Sequence, residues 1–345
     1  FKADLVESGQ TFQANLVRID GKALRNQKSW KISIETEKAA ENLVDDLKGV
    51  PFKASEIIRE EKSVRAKPPF TTSTLQQRAS TRLRMSAKQT MGAAQALYQN
   101  GLITYIRTDS TRVSEQAIAD VREFIGKKYG SNFLPQNANR YRSKKDAQDA
   151  HEAIRPTSTS YDPETVRPHL TREQYYLYRL IWNRFVASQM PPATFDDTTV
   201  DVHAGDYVLR AKGSVPKFRG WLAVYDKDTP EDNPQSPTAI EETDVGAGFL
   251  PVLAEGDVVS LKKLIPEQKF TQPPPRFTEA MLVKELEENG IGRPSTYAAT
   301  IQKVQQRDYV FKIEGRLKPR RLGRVVTKLL VESWVGSVQV EYTRE

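Results

Sequence analysis

The stretch Gly101-Leu-Ile-Thr-Tyr-Ile-Arg-Thr-Asp-Ser110 sets a phenol two residues from a guanidinium and four from a carboxylate. Drawn out as an extended segment, it places Ile103, Tyr105, Arg107 and Asp109 on one side. That spacing suits attack on a phosphodiester. A free phenol ionises near pH ~10, so as a nucleophile it needs a fixed cation to favour the phenolate and to offset the charge growing at phosphorus. Arginine serves better than lysine there, because its planar fork grips two phosphate oxygens at once. A packed tyrosine beside a surface arginine gives the same local pattern, so Tyr105 and Arg107 stand as candidates.

A second cluster is His151-Glu-Ala-Ile-Arg-Pro156. It lacks the second histidine of a His-Glu-x-x-His zinc site. On a helix, His151 and Arg155 share a face and offer two phosphate donors, and Pro156 ends that helix at Arg155. A solvated helix end reads the same way. The third is Gly290-Ile-Gly-Arg-Pro-Ser-Thr-Tyr297, where Ser295 or Thr296 is placed to cap a following helix whose amides attract phosphate. Helix, tight turn, helix and a basic hairpin (Arg316, Lys318, Arg320, Arg321) is the pattern of a winged helix-turn-helix. A purely structural helix pair is the competing reading.

Charge distribution agrees with a polyanionic partner at two places. Residues 61–112 carry a net +7 and residues 293–328 a net +8, within a chain of net +8 whose remainder is therefore acidic. Two solvated helical faces would look alike by charge alone. The composition excludes much else. With no cysteine there is no disulfide scaffold, thiol nucleophile or Cys-ligated zinc, and three histidines leave little for a multi-His metal site. A reducing compartment, the cytoplasm, is the default. Only 38% of the 345 residues are apolar, and no run approaches the ~20 needed to span a membrane. There is no Gly-x-x-x-x-Gly-Lys-Ser/Thr for an ATP motor and no Asp-x-Asp cluster suitable for Mg²⁺; Asp196 and Asp197, being adjacent, point to opposite sides of a strand. The opening Phe1-Lys2-Ala3-Asp4 has neither a Met nor a leader pattern and reads as a cut through a longer protein.

The elements that must position these residues follow from periodicity. Residues 12–17 and 30–34 alternate as strands, and Glu37–Leu47 has helical spacing. Arg65-Ala66-Lys67-Pro68-Pro69 marks a boundary. Ser73 is expected to cap a helix through Arg84, and Ser86 a second ending at Asn100-Gly101 with Met91, Ala94, Leu97 and Tyr98 as its apolar stripe. Ser114 opens a helix to Tyr129, and Thr171 with Gln174 forms a capping box for Tyr175–Met190. Strands are expected over 198–202, 207–211, 221–225 and 258–264, with an acidic surface excursion over 226–248. Helices over 278–289 and 295–307 and a hairpin turning at Glu314-Gly315 complete the chain.

Taken together, these strings and Pro69-Phe-Thr-Thr-Ser-Thr-Leu-Gln-Gln77 resemble the bacterial type IA DNA topoisomerases, the topoisomerase I branch. The resemblance implies a multidomain α+β fold, part of a toroid. In it, 1–66 and 192–268 form a β-rich arch, 67–191 a helical, winged-helix-like gate domain, and 269–345 part of an α-rich domain under the gate. It makes Tyr105 the nucleophile that becomes joined to a 5′ phosphate, with Arg107 on the scissile phosphate and His151 on a phosphate nearby. Asp109 belongs to the hydrogen-bond network around the cut, and Arg293 contacts the single strand leading in. Arg155, Ser295 and Thr296 are further DNA contacts.

The implied reaction is ATP-independent relaxation of negative supercoils by cleavage, strand passage and religation. It uses Mg²⁺ held by an N-terminal TOPRIM domain absent from these residues, as is the family's C-terminal region, so the chain holds no metal site and by itself binds DNA without cutting it. The implied partner is single-stranded DNA, met by a monomer in the cytoplasm at the nucleoid. The alternative is a non-catalytic winged-helix DNA-binding protein in which Tyr105 is merely packed.

Overall fold

The computed structural model describes residues 1–24, 34–141, 151–225, 250–270, 272–334, 336 and 338–344. The excursion over 226–248 and residues 30–33 of the strand expected over 30–34 lie outside them. The chain forms two compact units: the described residues of Phe1–Val64, Ala193–Arg219 and Ile240–Pro273, and those of Arg65–Pro192, Gly220–Ala239 and Pro274–Glu345.

The first unit is an antiparallel sheet of β1 (Lys2–Glu7), β2 (Gln10–Ile19), β3 (Lys22–Ala23), β4 (Phe52–Val64), β5 (Ala193–Ala204), β6 (Tyr207–Phe218) and β7 (Val258–Ile265), with helix α1 (Glu37–Leu47). Its strand order is β1-β7-β4-β5-β6-β2-β3, and β1 also pairs with β2, so six strands close on themselves. Closure follows from alternation. Phe12, Ala14 and Leu16 point inward from β2 while Thr11, Gln13 and Asn15 face solvent. They meet Leu5, Val200, Val202, Leu209 and Val259, and Leu43 and Leu47 of α1 pack into the same core. Val64 at the end of β4 is the register partner of Ala193 at the start of β5. Residues 65–192 thus leave and return at neighbouring positions of one ladder.

The second unit is helical. Its elements before Pro192 are α2 (Thr72–Arg82), α3 (Ala87–Gln99), α4 (Glu115–Tyr129), α5 (Pro163–Val166) and α6 (Arg172–Ser188). Ser86 caps α3 and Thr171 caps α6, each through a capping box. The start of α2 differs from expectation: Thr71 is its cap, in a box with Thr74, and Ser73 lies inside the first turn. Gly220–Tyr225, read as part of a strand, is a 3₁₀ helix that buries Trp221, Leu222, Val224 and Tyr225. A short apolar run of this kind fits either state by periodicity alone.

The segment after Pro274, expected as a domain of its own, packs within this unit. It comprises α7 (Glu279–Glu288), α8 (Tyr297–Gln306), β8 (Val310–Ile313), β9 (Arg316–Pro319) and α9 (Arg321–Ser333). Val283, Tyr297 and Ile301 form a small core between α7 and α8. The β8–β9 hairpin turns at Glu314-Gly315, and Leu317 N–H donates to Phe277 O at 2.7 Å, giving it a third edge. Two carboxylates of α7 hold this segment to α2 and α3. Buried Glu279 accepts from Ala87 N–H in the first turn of α3 at 2.9 Å and from Lys312 at 3.0 Å, and Glu287 accepts from Ser73 Oγ at 2.5 Å. Gln77 in turn donates to Ser73 Oγ at 2.9 Å.

Candidate active site

The segment bearing Tyr105 is shaped by how α3 ends. Gly101 takes φ +69 and donates to Tyr98 O at 2.9 Å, while Leu102 N–H donates to Leu97 O at 3.0 Å. These are the paired bonds of a left-handed glycine stop, and they turn the chain into an irregular extended run. Two neighbouring strings hold that run. Thr104 N–H donates to Arg155 O at 2.9 Å, Thr104 Oγ1 to Ala153 O at 2.7 Å, and Thr157 N–H to Leu102 O at 3.0 Å. Thr72 at the start of α2 donates through Oγ1 to Ile106 O at 2.7 Å and accepts from Thr108 N–H at 2.9 Å. Ile154 N–H closes the weave on Phe70 O at 2.8 Å. Three separated strings therefore become one hydrogen-bonded platform.

On it, Ile106, Thr108 and Ser110 point inward and are buried, so Tyr105 and Arg107 face out and Asp109 is half-buried. The expected common side holds from 105 to 109. It fails at Ile103, which is 1% exposed and bridges to Pro156. Tyr105 is 43% exposed. Its ring centroid lies 5.9 Å from that of His151, tilted by 36°, and 5.6 Å from that of Tyr98, edge on. Among the described residues, neither the Tyr105 hydroxyl nor the Arg107 guanidinium makes a hydrogen bond or ion pair. A phenol and a guanidinium on one outward face, beside an imidazole, form a surface on which a phosphate can be met by donors and an oxygen nucleophile together.

Three expectations are corrected here. Residues 151–155 are extended rather than helical, since the backbone groups of Ala153, Ile154 and Arg155 are bonded across to neighbouring strings. Arg155 is turned inward. Its guanidinium pairs with Glu152 at 2.7 Å and donates to Pro156 O at 2.9 Å, with the side chain 12% exposed, so it clamps the segment instead of presenting a phosphate donor. Tyr98 leaves the apolar stripe of α3 and meets Tyr105; its place at the last turn, next to the glycine stop, was the signal for that.

The Gly290–Tyr297 turn is exposed at Arg293, Ser295 and Thr296. Neither Ser295 nor Thr296 caps α8 through its side chain. Thr296 Oγ1 is drawn back into the turn, accepting from Arg293 N–H at 2.8 Å. The Arg293 guanidinium donates to Gly292 O at 2.8 Å. Gly292 has φ +79, and a Cβ there would lie 2.9 Å from Thr296 Oγ1, so the tight turn demands glycine. Burial pushes the Tyr297 phenol above its usual range, Glu287 adds to that, Arg293 opposes it, and Asp109 adds again. The Asp109 carboxylate is thus one of the charges that bear on the Tyr297 phenol. Among the described residues no group of three His, Asp or Glu side chains is gathered to hold a metal. The Mg²⁺ implied by resemblance finds no ligand set among them.

The profile of the DNA topoisomerase family matches residues 5–345. DNA topoisomerase 1 of Xylella fastidiosa strain 9a5c is 42% identical over 356 residues, covering 99% of this chain and 42% of that protein. Its counterpart in strain Temecula1 is 42% identical over 353 residues with the same coverage. The solved full-length topoisomerase I from Thermotoga maritima superposes with a TM-score of 0.76 at 32% identity, over 99% of this chain and 53% of that one. The chain therefore spans about two fifths of the length of these curated relatives. Matched almost end to end by family profile, sequence and fold, the chain belongs to the bacterial type IA DNA topoisomerases.

Proposed function

We propose that this chain carries the nucleophile for transient cleavage of one DNA strand, in an enzyme that relaxes negative supercoils without ATP. The Tyr105 phenol oxygen forms a bond to phosphorus, the bond from phosphorus to the 3′ oxygen breaks, the phenol gives up its proton and the departing 3′ oxygen gains one. The phosphotyrosyl bond at the 5′ side keeps the energy of the broken diester for religation after an intact strand has passed. Arg107 offsets the charge growing on the phosphate oxygens, and His151, its ring tilted beside that of Tyr105, donates to a phosphate oxygen nearby. Asp109 belongs to the hydrogen-bond network around the cut, and Arg293, Ser295 and Thr296 serve the strand approaching along the turn before α8. The observation that carries this reading is the exposed Tyr105, its hydroxyl without a partner among the described residues, on a platform woven from three separate strings.

On this reading the acid that protonates the 3′ oxygen, and the Mg²⁺ ion, come from the TOPRIM domain that the resemblance implies. The 345 residues by themselves then bind single-stranded DNA without cutting it, as a monomer in the cytoplasm at the nucleoid. No described helix is long and apolar enough to cross a membrane. The test is a denaturant-quenched reaction of the intact enzyme with a labelled oligonucleotide and Mg²⁺. A covalent adduct that maps to Tyr105 by mass spectrometry supports the assignment. An adduct on another tyrosine overturns the assignment to Tyr105, and no adduct at all leaves the non-catalytic winged-helix reading, which the arrangement of α7, α8 and the β8–β9 hairpin would favour.

A further inference from the structure

Helix α2 begins without an acidic residue in its own first turn, which holds the hydroxyls of Thr72, Ser73 and Thr74 instead. Thr74 closes the capping box with Thr71, while Thr72 and Ser73 reach two different parts of the chain. Thr72 is fully buried and turns to the segment after Tyr105. Its N–H donates to Thr108 O at 2.9 Å, and its Oγ1 donates to Ile106 O at 2.7 Å and accepts from Thr108 N–H at 2.9 Å. These bonds close on both chain neighbours of Arg107. The start of α2 therefore fixes the backbone from which that guanidinium extends. Tyr105 is held from elsewhere, through Thr104 and residues 153–155.

Ser73, also buried, turns to α7. Its Oγ donates to the Glu287 carboxylate at 2.5 Å and accepts from Gln77 Nε2 at 2.9 Å. A hydroxyl-to-carboxylate bond of that length is charge-assisted and stronger than a neutral one. The carboxylate also lies at the helix end that favours negative charge, so α7 supplies the acid that the first turn of α2 lacks. Glu287 is itself fixed by the backbone. Its carbonyl accepts from Gly290 N–H at 3.1 Å, and Leu286 O accepts from Ile291 N–H at 2.8 Å, with Gly290 at φ +71. These are again the paired bonds of a glycine stop. A continuous route thus runs from the end of α7 through Ser73 to Thr72, and on to both sides of Arg107.

We propose that Glu287 is a positioning residue for the cleavage step: it anchors the first turn of α2, so that Thr72 holds the Arg107 backbone and aims its guanidinium at the reacting phosphate. The proposal rests on the reading of Arg107 as the cation on that phosphate. It is tested with the intact enzyme, Mg²⁺ and a labelled oligonucleotide, by the single-turnover rate of covalent adduct formation across a range of enzyme concentrations. Glu287→Ala should lower the limiting rate roughly tenfold, since a catalytic group displaced by about 1 Å loses up to about 10²-fold. The concentration giving half the limiting rate should stay within about twofold, because affinity rests on cations meeting phosphates. Ser73→Ala removes the donor of the same bond with a smaller change and should slow the step likewise. Glu287→Gln keeps an acceptor for Ser73 Oγ and should recover much of the rate.

The deciding readout repeats Glu287→Ala and Ser73→Ala in an Arg107→Ala enzyme. There each should slow adduct formation by less than about twofold, because the group that they position is gone. An equal fold loss in both backgrounds would show that Glu287 only fastens α7 to α2, and overturns the proposal. A rate for Ser73→Ala within about twofold of the parent overturns it too. Circular dichroism melts identify any variant that fails to fold; if Glu287→Ala is one, Ser73→Ala and Glu287→Gln carry the test. If Arg107→Ala by itself leaves the rate unchanged, the reading of Arg107 fails and this proposal with it. If Arg107→Ala is slow and the losses simply multiply, only the role of Glu287 fails.

Discussion

Two parts of the helical unit hold the same residue types and use them in opposite ways. On and around α6, three tyrosine hydroxyls are tied to partners in the protein. Tyr178 donates its hydroxyl to Tyr161 O at 2.6 Å, and Tyr175 donates to Glu164 at 2.6 Å. Tyr141 donates to Ser188 O at 2.9 Å. The arginines there lie against rings: Arg167 is 5.0 Å from the Tyr175 centroid and Arg172 is 5.7 Å from that of Tyr176. Burial pushes Tyr178 and Tyr141 upward, so their protons are held. In the 101–110 segment, the Tyr105 hydroxyl and Arg107 are turned out and bonded to nothing among the described residues. The difference teaches that a Tyr–Arg pair becomes chemically available through what the fold withholds from it. The hydrogen bonds of the platform are made by backbone and by threonines, which leaves phenol and guanidinium for a substrate.

The sharpest way to break this contrast is Tyr105→Phe. The ring stays against Tyr98 and His151, and only the oxygen is removed. Cleavage by the intact enzyme should fall below detection while DNA affinity stays within about twofold, because binding rests on Lys and Arg contacts to phosphate. A covalent band surviving in the variant would show that a buried tyrosine does the chemistry after all. Arg107→Ala comes next. Removing a donor aimed at developing charge slows such a step by ~10²–10³-fold, and Arg107→Lys should recover little because it lacks the bidentate fork. A single-turnover rate within about threefold of the parent would place Arg107 with the ring-packed arginines of α6.

How far this contrast was legible in the sequence differs by level. The caps at Ser86 and Thr171, the strand over 12–17 and the turn at Glu314-Gly315 are local chemistry, and local rules found them. The stretch 221–225 was missed because a short run without clear alternation fits a strand or a helical turn alike. Tyr105 and Arg107 were visible as a pair, but their availability was not, since it depends on Thr72 and Thr104 bonding to strings far away in the sequence. Arg155 shows the same limit from the other side. Nothing local says that a guanidinium three residues from Glu152 will turn back to it instead of outward.

Tyr98 sharpens the comparison at smaller scale. Its edge contact with Tyr105 is the ring interaction at the platform that comes from a helix. An edge-to-face pair is worth about 0.5–1.5 kcal/mol, so Tyr98→Ala should slow cleavage by roughly two- to tenfold if the contact fixes the Tyr105 ring. Tyr98→Phe should restore the rate, since the ring and not the hydroxyl makes the contact. A rate for Tyr98→Ala equal to the parent would mean that the backbone weave alone positions the nucleophile.

The smallest effect expected is in stability, at the tyrosines that the fold keeps for itself. Tyr141 is pushed up to about 12, chiefly by burial, against an opposing pull from Arg184 and Arg65. Its folded value lies above the ordinary one near ~10, so the folded chain holds this proton where the unfolded chain has released it. The contribution is complete below about pH 10 and is lost as pH rises toward about 12. Tyr141→Phe removes the bonds to Ser188 O and Ala66 O and should cost about 0.5–1.5 kcal/mol at about pH 8. The same variant should lose less further stability than the parent between about pH 10 and 12, because the group that titrates is gone. Urea unfolding at about pH 8 and about pH 11 measures both. Parallel declines for variant and parent would show that Tyr141 ionises as freely as an exposed phenol, and would remove the difference between α6 and the Tyr105 platform at its simplest point.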